Sequence, residues 1–544
     1  MPPLSTSTPI SPPRVSGRLA VLLVLMFAGL AAALTFHRLG VPDVCGSNEA
    51  VEGVFVQQMV EHGELLFPLE NARSPMYKPP LFHWTAVALD RVAGIHRVTA
   101  LNLRSTAALY AILGVGLTVW FACNFLGTLE AALSGLILCA SYQYLEQGRI
   151  GRVDMTLCFF ETLALFSFIW WLMSRPNKPG SNAWRYLFAV AIGLAVLSKG
   201  PVGAILPIGA CGLFLIIERR FADLRALATP GPLLVAILIG TSWYAACLSG
   251  QRFGFLHRQI GSENFGRFFG SLGAMAPWYY VKPILLNSAP LSLLIPFAVY
   301  FSLQTFWKDG QGQQPAGQPV SESTQETADS GADSESIPPQ GHSGRSLRSE
   351  ESLLPVYDDR SAACVRLFAL FWILTVVFFS VAAYKRRAYL LPLWPASTVM
   401  LAWWLGTLAR TGAIGRLFRS AVGVTCLVLI LFNFFYLPYK AIKDCGSDSY
   451  RQTATEINHI VGAGEPLYSF GLGDDPAPLL FYLDRNAPQI EGKLGDAPPG
   501  YVIVPAAVWA AHKDEALDLT PVFESTTGAR KLLLLRHGKT YATR

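Results

Sequence analysis

Apolar stretches of membrane-spanning length recur along most of this chain, beginning with "LAVLLVLMFAGLAAALTF" at 19–36. About 20 apolar residues in a helix cover the roughly 30 Å of a bilayer's hydrocarbon. Eleven such stretches are read by apolar length and flanking charge, at about 18–37, 103–123, 129–145, 155–174, 184–198, 201–217, 230–248, 283–303, 363–383, 388–408 and 420–438. They predict a polytopic all-α membrane protein whose first partner is the lipid bilayer. With 52% hydrophobic and 15% charged residues, the composition excludes an ordinary soluble domain. The net charge of +6 is spread over many loops, which fits membrane topology and not nucleic-acid binding.

Orientation follows from the basic loops. Arg14 and Arg18, Lys178 and Arg185, Arg219, Arg220 and Arg225, and Arg410, Arg416 and Arg419 all fall on one side if there are eleven spans, and that side is the cytoplasm. No small-residue cleavage site follows the first apolar run, so 18–37 is read as a retained span with a cytoplasmic N-terminus in the inner (plasma) membrane. The loop 38–102, the short loop near 146–154, the loop 249–282 and everything after about 439 then lie outside.

Four regions are expected: a transmembrane region 1–305, a linker 306–360, further transmembrane helices 361–440 and a terminal domain 441–544. The linker is rich in Ser, Gln, Gly, Pro and acids; it cannot bury enough surface to offset chain entropy and is read as disordered and cytoplasmic. The tail differs: "YRQTATEINHIV" is helical in pattern, while "PLYSFGL", "YVIVPAAVWAA", "PVFES" and "KLLLLRHG" alternate between turns, predicting a small α/β domain. Seven of the nine cysteines lie in or beside apolar spans and show no metal-like spacing. Only Cys45 and Cys445 fall outside, and the sequence leaves their pairing open.

The costly residues collect at one face. Asn48 and Glu49 follow the first span, Tyr77 and Lys78 precede "PPLFHW", and Arg104 opens the second. Arg149, Arg152 and Asp154 stand in "GRIGRVDM", Lys199 in "SKGP", Glu263, Asn264 and Arg267 in "SENFGRF", and Lys385, Arg386, Arg387 and Tyr389 in "YKRRAY". Charge near a bilayer is costly unless paired or working on a substrate, so this convergence predicts a polar cavity. Singly, Arg104 reads as a snorkelling anchor and Asp154 as a helix cap. His62, His83 and His257 lack metal-ligand spacing. Several cations suit a lipid-borne phosphate, and a carboxylate beside them could deprotonate an acceptor as sugar leaves that phosphate.

The ordered motifs "NEAVEGVFVQQMVEHGE", "MYKPPLFHW", "LNLRSTAAL", "GRIGRVDMTLCFFETLALF", "LAVLSKGPVGAILP", "SWY", "ENFGRF", "APWYY" and "YKRRAYLLPLWPA" carry a family likeness over about 18–440. The chain resembles the GT-C membrane glycosyltransferases of the dolichyl-phosphate-mannose protein mannosyltransferase superfamily, nearest the bacterial lipid A aminoarabinose transferase branch. The resemblance implies a GT-C fold, a polyprenyl-phosphate-linked sugar donor, a glycolipid or protein acceptor, and inversion at the anomeric carbon. It implies carboxylates at Glu49 and Asp154, with Asn48 standing where the family has an Asp, and phosphate contacts from Lys78, Arg104, Arg152, Lys199, Lys385, Arg386 and Arg387. Tyr77, Glu263, Asn264, Arg267 and Tyr389 are further cavity candidates. In the aminoarabinose branch a divalent metal depends on an acid at the position of Tyr77 and on a His near "SEN", so the resemblance assigns no certain cofactor here. Protein O-mannosyl transfer and lipid-linked sugar transport are the alternative readings; the second predicts internal repeats, which the sequence does not show.

Overall fold

The computed structural model describes residues 15–174, 181–250, 252–271, 273–311, 359–410, 412–462, 464–473 and 476–538. Helix α1 (Gly17–Phe36) buries Leu23, Phe27, Ala31 and Leu34 on one stripe, yet exposes Val21, Leu22, Leu25 and Met26 on the other side. A helix apolar all round, with only one side packed on protein, is a helix whose other side meets lipid. Helices α4 (Ala100–Phe125), α5 (Thr128–Ala140), α7 (Val153–Met173), α8 (Ser181–Lys199) and α9 (Val202–Ile217) join it, with Pro230–Ser249, Ile295–Gln311, Asp359–Val381, Leu393–Arg410 and Ala413–Cys445. Among the described residues, six helices are long and apolar enough to cross a membrane, and seven if the bent pair Pro277–Leu286 and Leu291–Phe306 counts as one span.

Helix fills most of each predicted span, but three are not the straight rods expected. The stretch 129–145 breaks at Ser141, which is extended, so that α6 (Tyr142–Gln147) starts anew. The stretch 283–303 turns through 116° between its halves. The stretch 388–408 becomes a regular helix only at Leu393, after a 3-10 turn at Arg387–Leu390. Each break delivers polar side chains to one end of the bundle. Most of the predicted linker, 312–358, lies outside the described residues; helix runs to Gln311 before it and resumes at Asp359.

The connection after α1 is folded, not merely long. It carries α2 (Ser47–His62), a small hairpin of β1 (Leu69–Glu70) and β2 (Ser74–Pro75), and α3 (Leu81–Val92). Two buried arginines fix its start. Arg149 donates to the carbonyls of Leu34 (2.8 Å), Thr35 (2.7 Å) and His37 (2.8 Å), satisfying the C-terminal end of α1. Arg104, in the first turns of α4, donates to the carbonyls of Leu39 (3.0 Å), Pro42 (2.6 Å) and Asp43 (3.1 Å) and grips Glu49 through Nε (2.8 Å) and Nη2 (2.9 Å). The same Glu49 carboxylate accepts the Gly151 backbone N–H at 2.7 Å. A Cβ at Gly151 would sit 2.5 Å from Leu103 Cγ, so the close approach needs glycine.

The terminal domain is a four-stranded sheet of order β3-β4-β6-β5 (Leu467–Ser469, Tyr501–Pro505, Leu532–His537, Leu519–Glu524), with β3 parallel to β4 and the other pairs antiparallel. It docks on α2 and the hairpin. Phe481 lies over Gly53, where a Cβ would meet the ring at 2.5 Å. Asn71 and Ala487 exchange two hydrogen bonds of 2.7 Å, and Tyr482 accepts the Val44 N–H at 2.6 Å. A disulfide joins Cys45 to Cys445, at the end of helix Ala413–Cys445, with Cα atoms 5.6 Å apart.

Two substitutions test this scaffold. Glu49→Gln leaves the Arg104 guanidinium buried without its counter-charge, a change that costs about 3–5 kcal/mol when one partner of a buried pair is lost; thermal unfolding of the purified variant in detergent should fall accordingly, and an unshifted transition would remove the structural role. Gly53→Val should loosen the terminal domain and raise its protease sensitivity, because overpacking costs about 1–3 kcal/mol. Adding Phe481→Ala to Gly53→Val should restore part of the protection.

Candidate active site

Asp154 stands in the first turn of α7, two residues after Arg152, which is extended and precedes the helix. Its carboxylate is almost fully buried. Oδ1 accepts the Lys199 ammonium at 2.5 Å, and Oδ2 lies 3.1 Å from Arg152 Nη2. Among the described residues, Oδ2 has no hydrogen-bond donor. Lys199 ends α8 and places its Nζ 4.6 Å from the centre of the Tyr389 ring. Gly200 (φ +97°) turns the chain immediately afterwards, in the left-handed region that favours glycine. Its bare α-carbon lets Gln259 approach, since a Cβ there would be 2.6 Å from Gln259 Nε2.

Gln259 belongs to the π-helix His257–Gly266, whose wide turns bring Asn264 and Glu263 to the same wall. Asn264 Nδ2 donates to the Gln259 carbonyl at 2.7 Å. Glu263 pairs with Arg267 at 2.7 Å, and Arg267 reaches the Tyr389 hydroxyl at 3.2 Å and stacks 5.3 Å from the Tyr384 ring. The Ala383 and Tyr384 N–H groups donate to the Phe268 (2.9 Å) and Arg267 (3.0 Å) carbonyls, tying this segment to the basic "YKRRAY" stretch.

Within that stretch the three cations part company. Arg386 Nη1 donates to Asn48 Oδ1 at 3.0 Å, joining residues 338 apart in sequence. Arg387 is half exposed and lies 3.6 Å from Glu146, which also accepts from Tyr142 (2.7 Å) and Lys440 (3.1 Å). Lys385 turns inward: its buried ammonium donates to the carbonyls of Ala382 and Met275 (3.2 Å). Neither Lys385 nor Arg104, whose N–H groups all meet Glu49 or backbone carbonyls, lines the cavity that holds Lys78 and Lys199.

The sequence reading passes over Glu52, one turn after Glu49 on α2. Its fully buried carboxylate accepts the Lys78 ammonium on Oε1 and lies 2.8 Å from His83 Nε2 through Oε2. Burial alone would raise the Glu52 pKa; the Lys78 charge, with help from His83, outweighs it and holds the group at about 2. Burial pulls Lys78 in the opposite direction, below the ordinary lysine range, and Glu52 offsets this in part. Burial also keeps the Tyr77 phenol well above its usual pKa, hence neutral.

Two cavities meet at Asp154's partners. One, about 340 Å³, is lined by Lys78, Lys199, Arg267, Glu263, Asn264, Tyr77 and Tyr389 at its polar part and by Val202, Ile205, Phe265, Phe268, Phe269, Phe378 and Phe379 elsewhere. The other, about 550 Å³, is the more polar of the two: Asn48, Glu49, Glu146, Arg149, Arg152, Lys440 and Asp444 line it from the helix bundle, and Tyr450, Leu472, Pro505 and Arg530 from the terminal domain. Lys199 faces the first cavity and Arg152 the second, and both hold Asp154. Cations beside an apolar channel suit an amphiphile with an anionic head.

The donor set does not fit the metal implied for one branch of the resembled family. Tyr77 replaces the acid, Glu263 is committed to Arg267, and among the described residues no three His, Cys, Asp or Glu side chains converge as a metal-ion site.

Residues 25–251 match the family described as dolichyl-phosphate-mannose-protein mannosyltransferase. An uncharacterized protein of Aquifex aeolicus (strain VF5) is 29% identical over 272 residues, covering 50% of this chain and 52% of that protein. The undecaprenyl phosphate-alpha-4-amino-4-deoxy-L-arabinose arabinosyl transferase 1 of Pseudomonas fluorescens is 27% identical over 288 residues, covering 51% of this chain and 50% of that protein. The chain thus spans about half the length of the curated relatives it matches. Its fold is similar to that of ArnT from Cupriavidus metallidurans bound to undecaprenyl phosphate (TM-score 0.72, 17% identity, 95% of this chain and 98% of that chain). It is less similar to the Archaeoglobus fulgidus oligosaccharyltransferase (TM-score 0.55, 14% identity, 95% of this chain and 74% of that chain). The likeness to the dolichyl-phosphate-mannose-protein mannosyltransferase family thus lies in residues 25–251, and the chain-wide fold is similar to that of the Cupriavidus metallidurans ArnT.

Proposed function

We propose that the chain is a membrane glycosyltransferase that moves a sugar from a polyprenyl-phosphate donor to a glycolipid or protein acceptor at the outer face of the membrane. The observation that carries this reading is the placement of Asp154 between Lys199, on the apolar cavity, and Arg152, on the polar one. The prenyl chain lies along the phenylalanine-lined cavity, and its phosphate meets Lys78, Lys199 and Arg267. The acceptor enters the polar cavity under the terminal domain. An outer-face site agrees with the Cys45–Cys445 disulfide, which persists in oxidising compartments, and with the basic loops assigned to the opposite side. The connection between the helices that end at Gln311 and begin at Asp359 is then cytoplasmic.

In the proposed step, an acceptor oxygen attacks the anomeric carbon from the face opposite the phosphate. The bond from that carbon to the phosphate oxygen breaks, its electron pair leaves with the polyprenyl phosphate, and the configuration inverts. The growing phosphate charge is met by fixed cations that need no reorganisation. Asp154 Oδ2, which has no hydrogen-bond donor among the described residues, accepts the proton of a hydroxyl acceptor. Asn48 holds Arg386 and does not itself act as a base.

Asp154→Asn should lower transfer about a hundredfold or more, the range for loss of a general base, when purified protein is given an undecaprenyl-phosphate-linked sugar and elutes as a folded species. Wild-type turnover in that variant would sink the assignment. Asn48→Asp should retain activity, because the new carboxylate pairs with Arg386 in place; an inactive, folded Asn48→Asp protein would show that position 48 must stay neutral.

A further inference from the structure

We propose that Glu52 is a positioning residue for donor binding, fixing the ammonium of Lys78 at the wall of the apolar cavity; this rests on the reading that Lys78 meets the donor phosphate. Lys78 lines that cavity and Glu52 does not. Glu52 is fully buried on α2 and takes Lys78 on one oxygen and His83 on the other. Both partners come from one short stretch, "KPPLFH". Its prolines fix φ and remove N–H groups, so the chain wraps the carboxylate and then enters α3, with His83 in its first turns. Lys78 and His83 are thereby held by a single carboxylate that never touches the ligand.

The need for Glu52 follows from the charges facing Lys78. Its chain neighbour Tyr77 is a neutral phenol whose ring lies 4.9 Å from the ammonium. Arg152, before α7, opposes the lysine's charge; Glu52 from α2, Asp154 from α7 and Glu263 from the π-helix support it, Glu52 most strongly. Asp154 and Glu263 are each engaged by other cations, Lys199 and Arg152 in one case and Arg267 in the other. Without Glu52, a buried Lys78 would keep only these shared acids and would release its proton at lower pH. A neutral amine is a poor phosphate ligand, so the carboxylate on α2 acts on the donor through the lysine.

Steady-state kinetics of the full chain with an undecaprenyl-phosphate-linked sugar, followed from pH 6 to 10, test this. Glu52→Gln should raise the donor KM about tenfold to a hundredfold, the scale of a hydrogen bond to a charged group, with a smaller change in kcat and none in acceptor KM. Its alkaline loss of activity should move to lower pH. Lys78→Arg, whose charge does not titrate in this range, should abolish that alkaline limb. A folded Glu52→Gln protein with wild-type donor KM and pH profile overturns the proposal, and so does an unchanged alkaline limb in Lys78→Arg, which remains informative if Glu52→Gln fails to fold. A Lys78→Gln variant with wild-type donor KM would instead overturn the phosphate-binding reading beneath it; a raised KM there, with normal Glu52→Gln, would overturn the role of Glu52 alone.

Discussion

The grip of Arg104 on Glu49 is the contact on which the geometry of the site depends. One guanidinium from α4 binds a carboxylate of α2 and three carbonyls of the connection before it, and that carboxylate also takes the Gly151 N–H. Three residues beyond Gly151 stands Asp154. The position of the central carboxylate is therefore set by a pair that is itself spent on structure. Such a pair adds little net stability over an apolar replacement, but losing one member is severe. Its value lies in register: it fixes α2 against the entrance of α7.

The cations at this end of the bundle sort by what already occupies them. Arg104, Arg149 and Lys385 are consumed by backbone carbonyls or by Glu49 and behave as internal caps. Lys78, Lys199 and Arg267 have acidic partners but also line the apolar cavity, where donors can turn toward an anion. Arg386 and Arg387 lie between these groups, Arg386 held by Asn48 and the Tyr384 hydroxyl and Arg387 by Glu146. Charge close to lipid thus serves both ends, and only the geometry tells an anchor from a ligand.

Much of the architecture was legible because the bilayer imposes a length on apolar runs. The breaks were not: Ser141 and the 116° bend at 286–291, which holds Asn287, Ser288 and Pro290, sit inside stretches whose overall apolar length reads as one continuous span. Within the site, Asp154, Lys199 and Lys78 could be singled out as charges at the ends of spans. Glu52 could not, since one turn beyond Glu49 it looks like a second solvated acid; its signal was the pairing of Lys78 and His83 on one proline-stiffened stretch, visible only with α2 in place. The contacts of Arg104 were hidden for the same reason, because three of its five hydrogen bonds are to backbone carbonyls that carry no sequence signature. Asn48 and Arg386 meet across 338 residues, a distance that only the fold closes.

The disulfide between Cys45 and Cys445 has a consequence for assembly. It closes a covalent ring 400 residues around, enclosing nearly all of the helices of the bundle, with α2 at one edge and the terminal sheet at the other. Synthesis runs from one end, so the first half of this clasp waits while every intervening helix is inserted. The roof over the polar cavity arrives last, with residues 450–532. A partly made chain accordingly holds its charged lining without a lid or a latch.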